Sequence, residues 1–339
     1  MKKLILAVSV TFAALALLSS TGFAASKTLE VIKKRGELRC GVNPNTPGYA
    51  SLDSRGVYQG FDTDFCRAIA AAIQVDVKFF PLTGKERFPA LQSGEVDMLS
   101  RRTTWTMSRD TRLGFQFAAV TYYDGQGFIV RKNSGIKSVK DLDGATVCVV
   151  TGTTTELNLA DYFRRNNMKL KALTFENSDV VRSTYESERC DAMTGDASSL
   201  AANKTIMKDP RAHMILPEII SKEPLAPLSR HGDNEFNDII RWVINAIIIA
   251  EEKGITKANV ERVAKTTNDP EVQRMLGITG SMGADIGLDP KWALRAIKAV
   301  GTYGEIFERH LGMNTPLGLP RGYNRLWDKG GLLYAPPIR

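Results

Sequence analysis

Apolar and polar positions between residues 36 and 100 follow two different periods. The stretches GELRCGVN, VKFF and EVDMLS are short apolar runs bounded by polar or glycine residues, which predicts strands. Between the first two, apolar residues recur at helical spacing at Phe65, Ala68, Ile69, Ala72 and Ile73. Asp62 is the predicted cap of that helix, and RFPALQSG predicts a short helix that ends at Gly94. Strands that alternate with helices predict an α/β fold with a mostly parallel sheet.

The same progression returns between residues 138 and 200. The stretch SVKDLDGATVCVVTGTTTELNLADYFRRNN predicts helix, strand, loop and helix. KALTFEN then predicts a strand, SDVVRSTYESERC a helix, and DAMTGDASSL a strand followed by a loop that opens a helix. Each half therefore runs strand, helix, strand, helix, strand and polar loop, which predicts two similar α/β units.

Two segments are predicted to cross between these units. TYYDGQGFIVRKN lies between the halves, and the proline-bearing EPLAPLSRHGDNEF lies near 222 to 236. Two crossings around a second unit are what a hinged protein requires. We expect one lobe from residues 25–124 and 226–339 and another from 125–225. The region 270–339 contains predicted helices and a Gly/Pro-rich tail, and we expect it to cover the first lobe.

Polar residues follow three of the predicted strands, where open α/β sheets bind ligands. After Leu99 comes SRRTTWTMSRD, in which Arg109 offers a planar fork that matches a carboxylate, with Thr104 five residues earlier. The alternative is a surface arginine paired with Asp110. Of the other residues in this run, we expect Trp105 to pack around the site and Arg101 to be solvated.

The other two strand ends have similar alternatives. After Val150, TGTTTELNL predicts a helix that starts near Thr154, and free N–H groups at a helix start bind anions. Ordinary threonine capping explains the same residues. After Met193, Asp196 is a carboxylate that suits an ammonium group or caps the following helix. Together the three ends offer groups for one carboxylate and one ammonium, the shape of an α-amino acid.

The N-terminus predicts export. MKK is followed by the apolar stretch ILAVSVTFAALALLSS, and small residues precede a cut after Ala24, which is typical of a secretory signal peptide over residues 1–24. A transmembrane anchor is the alternative, although the run is short for one. The chain has 45 basic and 37 acidic residues and a net charge of +8. Export argues against nucleic acid as the partner of that positive charge, and we expect a periplasmic protein.

Four cysteines occur: Cys40, Cys66, Cys148 and Cys190. An even number in an oxidising compartment predicts disulfides, and four cysteines allow three pairings. Their spacing does not resemble a zinc site, and we expect no metal and no cofactor.

The motifs, taken in order, resemble those of the family 3 extracellular solute-binding proteins. The similarity lies in GFDTDFCRAIA, FPALQSGEVDMLSRRTTWTMSRD, VKDLDGATVCVVTGTTTE, CDAMTGD and HGDNEF and runs from residue 37 to about 250. PNTPGYASLDSRGVYQGFDTDF and the long C-terminal region resemble the general L-amino-acid-binding members. The resemblance implies a two-lobed Venus-flytrap fold with two hinge crossings.

The resemblance also implies roles for single residues. Arg109 and Thr104 would hold the ligand carboxylate together with the backbone N–H of Thr154. The Arg102 carbonyl and Asp196 would hold the ammonium. Tyr49 matches an aromatic wall of the family's pocket, and a second aromatic wall has no counterpart near residues 84–85, which would suit broad side-chain acceptance. Disulfides within lobes are implied as well, joining Cys40 to Cys66 and Cys148 to Cys190.

The function that the resemblance implies is capture of L-amino acids, with polar side chains favoured, for an ABC-type permease. The protein would act as a monomer and would not be an enzyme. An exported dehydratase acting on cyclohexadienyl acids is the alternative, since such enzymes share the fold. That reaction needs an acid to expel hydroxide, so it would require a further pocket carboxyl with a raised pKa.

Overall fold

The computed structural model describes residues 26–339, so the predicted signal peptide lies outside the described residues. Fourteen strands follow in chain order: β1 (Glu37–Val42), β2 (Ser51–Leu52), β3 (Tyr58–Gln59), β4 (Asp76–Pro81), β5 (Met98–Leu99), β6 (Phe115–Phe117), β7 (Tyr122–Asp124), β8 (Gln126–Arg131), β9 (Thr146–Val150), β10 (Lys171–Phe175), β11 (Ala192–Asp196), β12 (His213–Ile215), β13 (Glu223–Leu225) and β14 (Leu228–Arg230).

Within residues 26–339, twelve α-helices are interspersed with the strands and continue after them: α1 (Lys27–Arg35), α2 (Phe61–Ile73), α3 (Arg87–Ser93), α4 (Thr154–Arg165), α5 (Ser178–Glu186), α6 (Ala197–Thr205), α7 (Asn234–Glu252), α8 (Val260–Thr266), α9 (Pro270–Met275), α10 (Met282–Asp285), α11 (Trp292–Val300) and α12 (Tyr303–His310). None of the helices in the described part of the chain is both long and apolar enough to cross a membrane.

Two five-stranded sheets organise these elements into two lobes. The first has the order β4-β1-β5-β14-β6 and the second β10-β9-β11-β8-β12. In each sheet four strands point the same way and one runs against them, β14 in the first and β8 in the second. The antiparallel strand is in both cases the one that follows a crossing between the sheets. The two-lobed, mostly parallel α/β fold expected from the sequence is confirmed.

The crossings between the sheets pair with each other. Strand β7 of the first crossing runs antiparallel to β13 of the second, with Asp124 opposite Glu223 and Tyr122 opposite Leu225. The covalent connection between the lobes at this point is therefore two short chain segments, which are paired with each other along three residues of each strand. A narrow two-stranded connection allows one lobe to rotate against the other with small changes in backbone angles.

Helix α2 begins at Gly60 rather than at a side-chain cap. The φ of Gly60 is 140°, a conformation that favours glycine, and a Cβ there would collide with the Tyr49 carbonyl. The prediction that Asp62 caps this helix is therefore wrong, and its side chain is buried in the first turn instead. Helix α3 agrees with its prediction, since Pro89 lies in the first turn and Gly94 ends it with a φ of 80°.

The C-terminal helices pack on the first sheet's unit. The guanidinium of Arg295 donates to the carbonyls of Ala71 and Ala72 at the end of α2, at 3.1 and 2.9 Å. Tyr303 donates its hydroxyl to the carbonyl of Thr121, which precedes the first crossing, at 2.8 Å. One hydrophobic core joins residues of α2, α7, α11 and α12. The C-terminal region thus packs against the first lobe and against the residue that precedes the first crossing.

Each sheet unit contains one disulfide. Cys40 of β1 is bonded to Cys66 of α2, with Cα atoms 6.3 Å apart, and Cys148 of β9 is bonded to Cys190 before β11, with Cα atoms 5.8 Å apart. Both bonds lie within one unit, as the family resemblance implies. Neither bond crosses the hinge, so both leave rotation of the lobes unrestricted.

Candidate functional site

A cavity of about 120 Å³ lies between the two sheets, at the carboxyl ends of β5, β9 and β11. All three polar strand ends singled out in the sequence contribute to its wall. Five of the six predicted ligand-binding residues line it: Arg102, Arg109, Thr104, Thr154 and Asp196. The sheets bring these residues together because parallel strands end at the same edge.

Arg109 is buried in this cavity and is not a surface residue. It lies on a single turn of π-helix, Ser108–Arg112, and is 6% exposed. Its Nη1 donates to the Thr104 carbonyl at 2.8 Å, and its guanidinium lies 5.3 Å from the centre of the Phe88 ring. Asp110, the alternative partner, instead accepts from the Trp105 indole N–H at 3.0 Å. The guanidinium is thus fixed in position by a carbonyl and a ring, with donors left for an anion.

Arg102 has an unusual backbone conformation. Its φ is +52°, which is uncommon for a residue with a side chain and concentrates at functional sites. Its Nη2 donates to Thr46 Oγ1 at 3.2 Å, and its guanidinium lies 4.8 Å from the centre of the Tyr49 ring.

Tyr49 itself does not lie on the cavity wall. It is fully buried against Phe61 and Tyr122, with ring centres 6.0 Å apart in each pair. The structure therefore places Tyr49 beneath Arg102 as a support, one layer behind the position of an aromatic wall.

The hydroxyls of Thr104 and Thr154 meet across the cleft, 3.3 Å apart. Both donate to one carboxylate oxygen of Glu223, at 2.5 and 3.1 Å respectively. The other oxygen of Glu223 accepts from Asn158 Nδ2 at 2.8 Å and from Ser221 Oγ at 2.7 Å. Glu223 is 1% exposed and joins both lobes to the crossing strand β13. No sequence pattern singles out Glu223, because its role depends on contacts between distant segments.

The start of α4, at residues 153–155, lines the cavity. Thr153 is the N-cap and accepts from the Glu156 N–H, while Glu156 reaches back to the Gly152 N–H at 2.7 Å. Threonine capping therefore does occur. The N–H of Thr154, the first helical residue, still has no acceptor within the helix, because such groups are unpaired at every helix start. Capping and anion binding are compatible here.

Asp196 is the carboxylate of the site. It stands at the N-cap position of α6, yet its side chain makes no capping hydrogen bond. Burial, and after it the charge of the nearby Asp124, raises its pKa to about 7, although the charge of Arg102 acts in the opposite direction. Burial also raises the pKa of Asp124 to about 6, although Ser198 and the Gly125 N–H stabilise its charge. A cation at Asp196 would therefore stabilise a carboxylate that is costly to ionise alone.

Two further arginines line the cavity. The prediction that Arg101 is solvated is wrong, since it is 7% exposed and its pKa is lowered to about 9, first by burial and then by Arg102. Arg87, which the sequence analysis did not single out, is 3% exposed and stands at the first turn of α3. The prediction that Trp105 packs around the site is wrong, since its ring is 38% exposed, is stacked on Phe117 with ring centres 5.4 Å apart and does not line the cavity.

The sequence model of one protein family, the bacterial extracellular solute-binding proteins, family 3, matches residues 38–259 of this chain. The chain therefore belongs to this family, as the motifs of the sequence implied. The match covers both sheets, both crossings and every residue of the candidate site.

Relatives match over their full length. The chain is 52% identical over 342 residues, 100% of each chain, to the glutamate/glutamine/aspartate/asparagine-binding protein BztA of Rhodobacter capsulatus. It is 50% identical over 344 residues, again 100% of each, to the general L-amino acid-binding periplasmic protein AapJ of Rhizobium johnstonii.

Solved structures show the same fold. An ABC transporter periplasmic binding protein from Brucella ovis, described with glutathione bound, superimposes with a TM-score of 0.89 at 50% identity and covers 92% of this chain and 99% of its own. An ancestral amino-acid-binding protein, described as a precursor of cyclohexadienyl dehydratase, has a TM-score of 0.57 at 32% identity and covers 63% of this chain and 91% of its own. This precursor is thus a more distant structural neighbour than the Brucella ovis protein.

Proposed function

We propose that this protein captures L-amino acids in the periplasm by closing its two lobes around them, and delivers them to the permease of an ABC importer. The observation that carries the proposal is the cavity itself. In it, an arginine held in position by its neighbours and a carboxylate that makes no capping hydrogen bond lie at strand ends on opposite sides of the cleft. The names of the full-length relatives, which are amino-acid-binding proteins, support the same substrate class.

In the proposed complex, Arg109 and the N–H groups of Thr104 and Thr154 hold the ligand carboxylate. The hydroxyls of the two threonines donate to Glu223, so their backbone groups are the donors offered to the ligand. Asp196 and the carbonyl of Arg102 hold the ammonium. The carboxylate and ammonium groups of an α-amino acid thereby neutralise the positive and negative groups of the cavity. This holds for any side chain of the ligand.

Closure is the proposed mechanism of capture. The first lobe supplies Arg109, Arg102 and Thr104, and the second supplies Thr154 and Asp196. A ligand shifts the hinge toward the closed form only through contacts that exist in that form alone. Each hydrogen bond to a charged group contributes about 1.5–3 kcal/mol, so the contacts of the second lobe suffice to favour closure strongly. The crossing strands 122–124 and 223–225 are the proposed hinge, between lobes of residues 25–124 with 226–339 and 125–225.

The dehydratase alternative needs a cavity carboxyl with a raised pKa, and the carboxyls on the described wall are Asp196 and Glu176, of which Glu176 is exposed and paired with Lys85. Asp62 and Asp124 have raised pKa values of about 7 and 6, but neither lies on the described part of the cavity wall. Asp196 does lie there, and the ligand ammonium would occupy it. We therefore propose a binding protein and not an enzyme, acting as a monomer and without a cofactor.

Titration calorimetry with Arg109→Ala tests the proposal. We expect the wild type to bind L-amino acids and the variant to lose at least tenfold in affinity for each of them, since at least one charge-assisted hydrogen bond disappears. Arg112→Ala is the matched control, because Arg112 is exposed on the same turn. Unchanged affinity in Arg109→Ala would remove this residue from the site, and absence of amino-acid binding in the wild type would overturn the function.

A further inference from the structure

The two crossing strands contain one register position whose backbone groups point outward. In the pairing of β7 with β13, Tyr123 lies opposite Pro224 and Asp124 lies opposite Glu223. Pro224 has no N–H, and its carbonyl accepts from the Trp105 N–H of the first lobe at 2.8 Å. The backbone of Tyr123 is likewise directed away from its partner, as in a non-hydrogen-bonded antiparallel pair. The contact on this outer side therefore decides with which lobe Tyr123 moves.

Tyr123 meets a single buried residue of the C-terminal region, Asn324. The Asn324 Oδ1 accepts from the Tyr123 N–H at 2.7 Å, and the Asn324 Nδ2 donates to the Tyr123 carbonyl at 3.2 Å. Asn324 is 3% exposed, and its own carbonyl accepts from two nitrogens of Arg321 at 3.1 and 2.9 Å. Arg321 also pairs with Glu251 of α7, a helix of the first lobe. The side chain of Asn324 thus takes the place of a third strand and ties Tyr123 to the first lobe.

The next residue along the chain, Asp124, is bound by the second lobe. Its Oδ2 accepts from the Ser198 N–H at 3.3 Å, in the first turn of α6. The Gly125 carbonyl accepts from the Ala197 N–H of the same turn at 2.8 Å. The lobe to which the first crossing is bound therefore changes across one peptide link, between Tyr123 and Asp124.

The second crossing changes lobe at the same level. After Pro224, the Ala226 N–H donates to the Thr103 carbonyl of the first lobe at 3.0 Å. Before Pro224, the Ile220 N–H donates to the Gln126 carbonyl of the second lobe at 2.9 Å. The change of lobe in this crossing therefore lies between Ile220 and Pro224, beside the link where the first crossing changes.

We infer that Asn324 is a positioning residue for ligand capture, which holds Tyr123 to the first lobe so that closure rotates the chain at the link between Tyr123 and Asp124. The inference rests on the proposed function and adds the part that controls its hinge. It gives a task to the region after residue 259, which lies outside the family match and contributes no residue to the described cavity wall. Without Asn324 the pivot would include Tyr123, and the lobes would adopt a wider range of orientations.

Hydrogen exchange of single backbone amides, followed by NMR, tests the pivot in the unaltered protein. The Tyr123 N–H should exchange at the same rate relative to core amides of the first lobe, within about twofold, with and without L-glutamine, because its bond to Asn324 lies within one lobe. In Asn324→Leu, which has a similar size and neither hydrogen-bonding group, this N–H should exchange at least tenfold faster. A Tyr123 N–H that loses its protection in the ligand-free wild type would show that Asn324 releases the strand on opening, and would overturn the inference.

Calorimetry and small-angle X-ray scattering test the consequence for capture. Asn324→Leu should weaken the binding of L-glutamine and of L-leucine equally, by about threefold to tenfold, because a smaller fraction of the protein is in the closed form. The radius of gyration of the ligand-free protein should increase. Asn324→Asp keeps the acceptor for the Tyr123 N–H and loses only the donor, so its affinity and radius should lie between those of Asn324→Leu and the wild type.

Asn259→Leu is the matched control. Asn259 precedes α8 in the first lobe, and its amide also bonds to backbone groups, accepting from the Thr256 N–H at 2.7 Å and donating to the Gly254 carbonyl at 3.1 Å. Its loss should lower the melting temperature, as Asn324→Leu does, but leave affinity and radius unchanged. If Asn324→Leu also lowers only the melting temperature, Asn324 has a purely structural role and the inference is overturned. A wild type that binds neither amino acid would contradict the proposed function, while exchange and scattering of the ligand-free proteins would still decide the role of Asn324.

Discussion

Replacement of Glu223 by glutamine tests whether the closed form is held by the carboxylate that both lobes share. Glu223 accepts from Thr104 of the first lobe, from Thr154 and Asn158 of the second, and from Ser221 beside it. A glutamine has one oxygen, so two of these four donors lose their acceptor and face an NH₂ group instead. The change is almost isosteric, which isolates hydrogen bonding and charge from packing.

The magnitude follows from the bonds that depend on closure. When the lobes separate, Glu223 cannot stay bonded to Thr104 on one side and to Thr154 and Asn158 on the other. At least one charged hydrogen bond therefore belongs to the closed form alone, and each contributes about 1.5–3 kcal/mol. Glu223→Gln should reduce the affinity for every ligand by roughly tenfold to a hundredfold, because the closed form that binds the ligand has lost this stabilisation.

Titration calorimetry measures the affinities, and small-angle X-ray scattering measures the radius of gyration with and without ligand. Lys85→Gln is the control, since Lys85 does not line the cavity and joins the lobes only in an exposed pair with Glu176, which contributes about 0–1 kcal/mol. Glu223→Gln could instead have the same affinity and the same ligand-bound radius of gyration as the wild type. That result would show that the shared carboxylate does not hold the lobes together.

Two further predictions concern stability. Asp64 is buried, which raises its pKa, but hydrogen bonds and charge from His310 and Arg309 outweigh this and hold the pKa at about 2. A carboxyl whose pKa is lowered by folding stabilises the fold at pH values above its unfolded pKa near 4, and this stabilisation is lost as the pH falls toward 2. Asp64→Asn should therefore lower the free energy of unfolding, measured in urea at pH 7, by about 2 kcal/mol. If the difference in unfolding free energy between variant and wild type does not shrink below pH 4, the ion pairs of Asp64 are not its origin. Cys148 and Cys190 are 42 residues apart, and a double alanine variant that removes their disulfide should lower the free energy of unfolding by about 4 kcal/mol. The affinity for ligand should stay within about threefold of the wild-type value. A large loss of affinity would show that the disulfide shapes the cleft.

The sequence was informative about the fold because each element carries its own local signal. Helical spacing and strand length located both sheets, and the rule that ligands bind at strand ends located the cavity. Thr154 and Asp196 were accessible to prediction because each lies where a predicted strand ends and a helix begins, and Thr104 and Arg109 because they lie in the polar loop that follows a predicted strand.

Other parts of the site depend on contacts between distant segments. Glu223 lies in a crossing strand with no pattern that distinguishes it, and its partners come from both lobes. Arg101 appeared solvated because a basic residue in a loop usually is, whereas the cleft between two lobes buries it. Tyr49 matched an aromatic position of the family, and only the packing against Phe61 places its ring beneath the wall. Residues whose role arises from lobe contact carry no local signature.

Native mass spectrometry of the freshly purified protein tests amino-acid capture most directly. The ligand is expected to remain enclosed in the closed cleft, so the native spectrum should show an added mass that is lost on denaturation and that identifies an L-amino acid. Arg109→Ala purified in the same way should carry much less of it. A native spectrum of the unliganded protein alone, with no mass gained after L-amino acids are added, would contradict the proposed function.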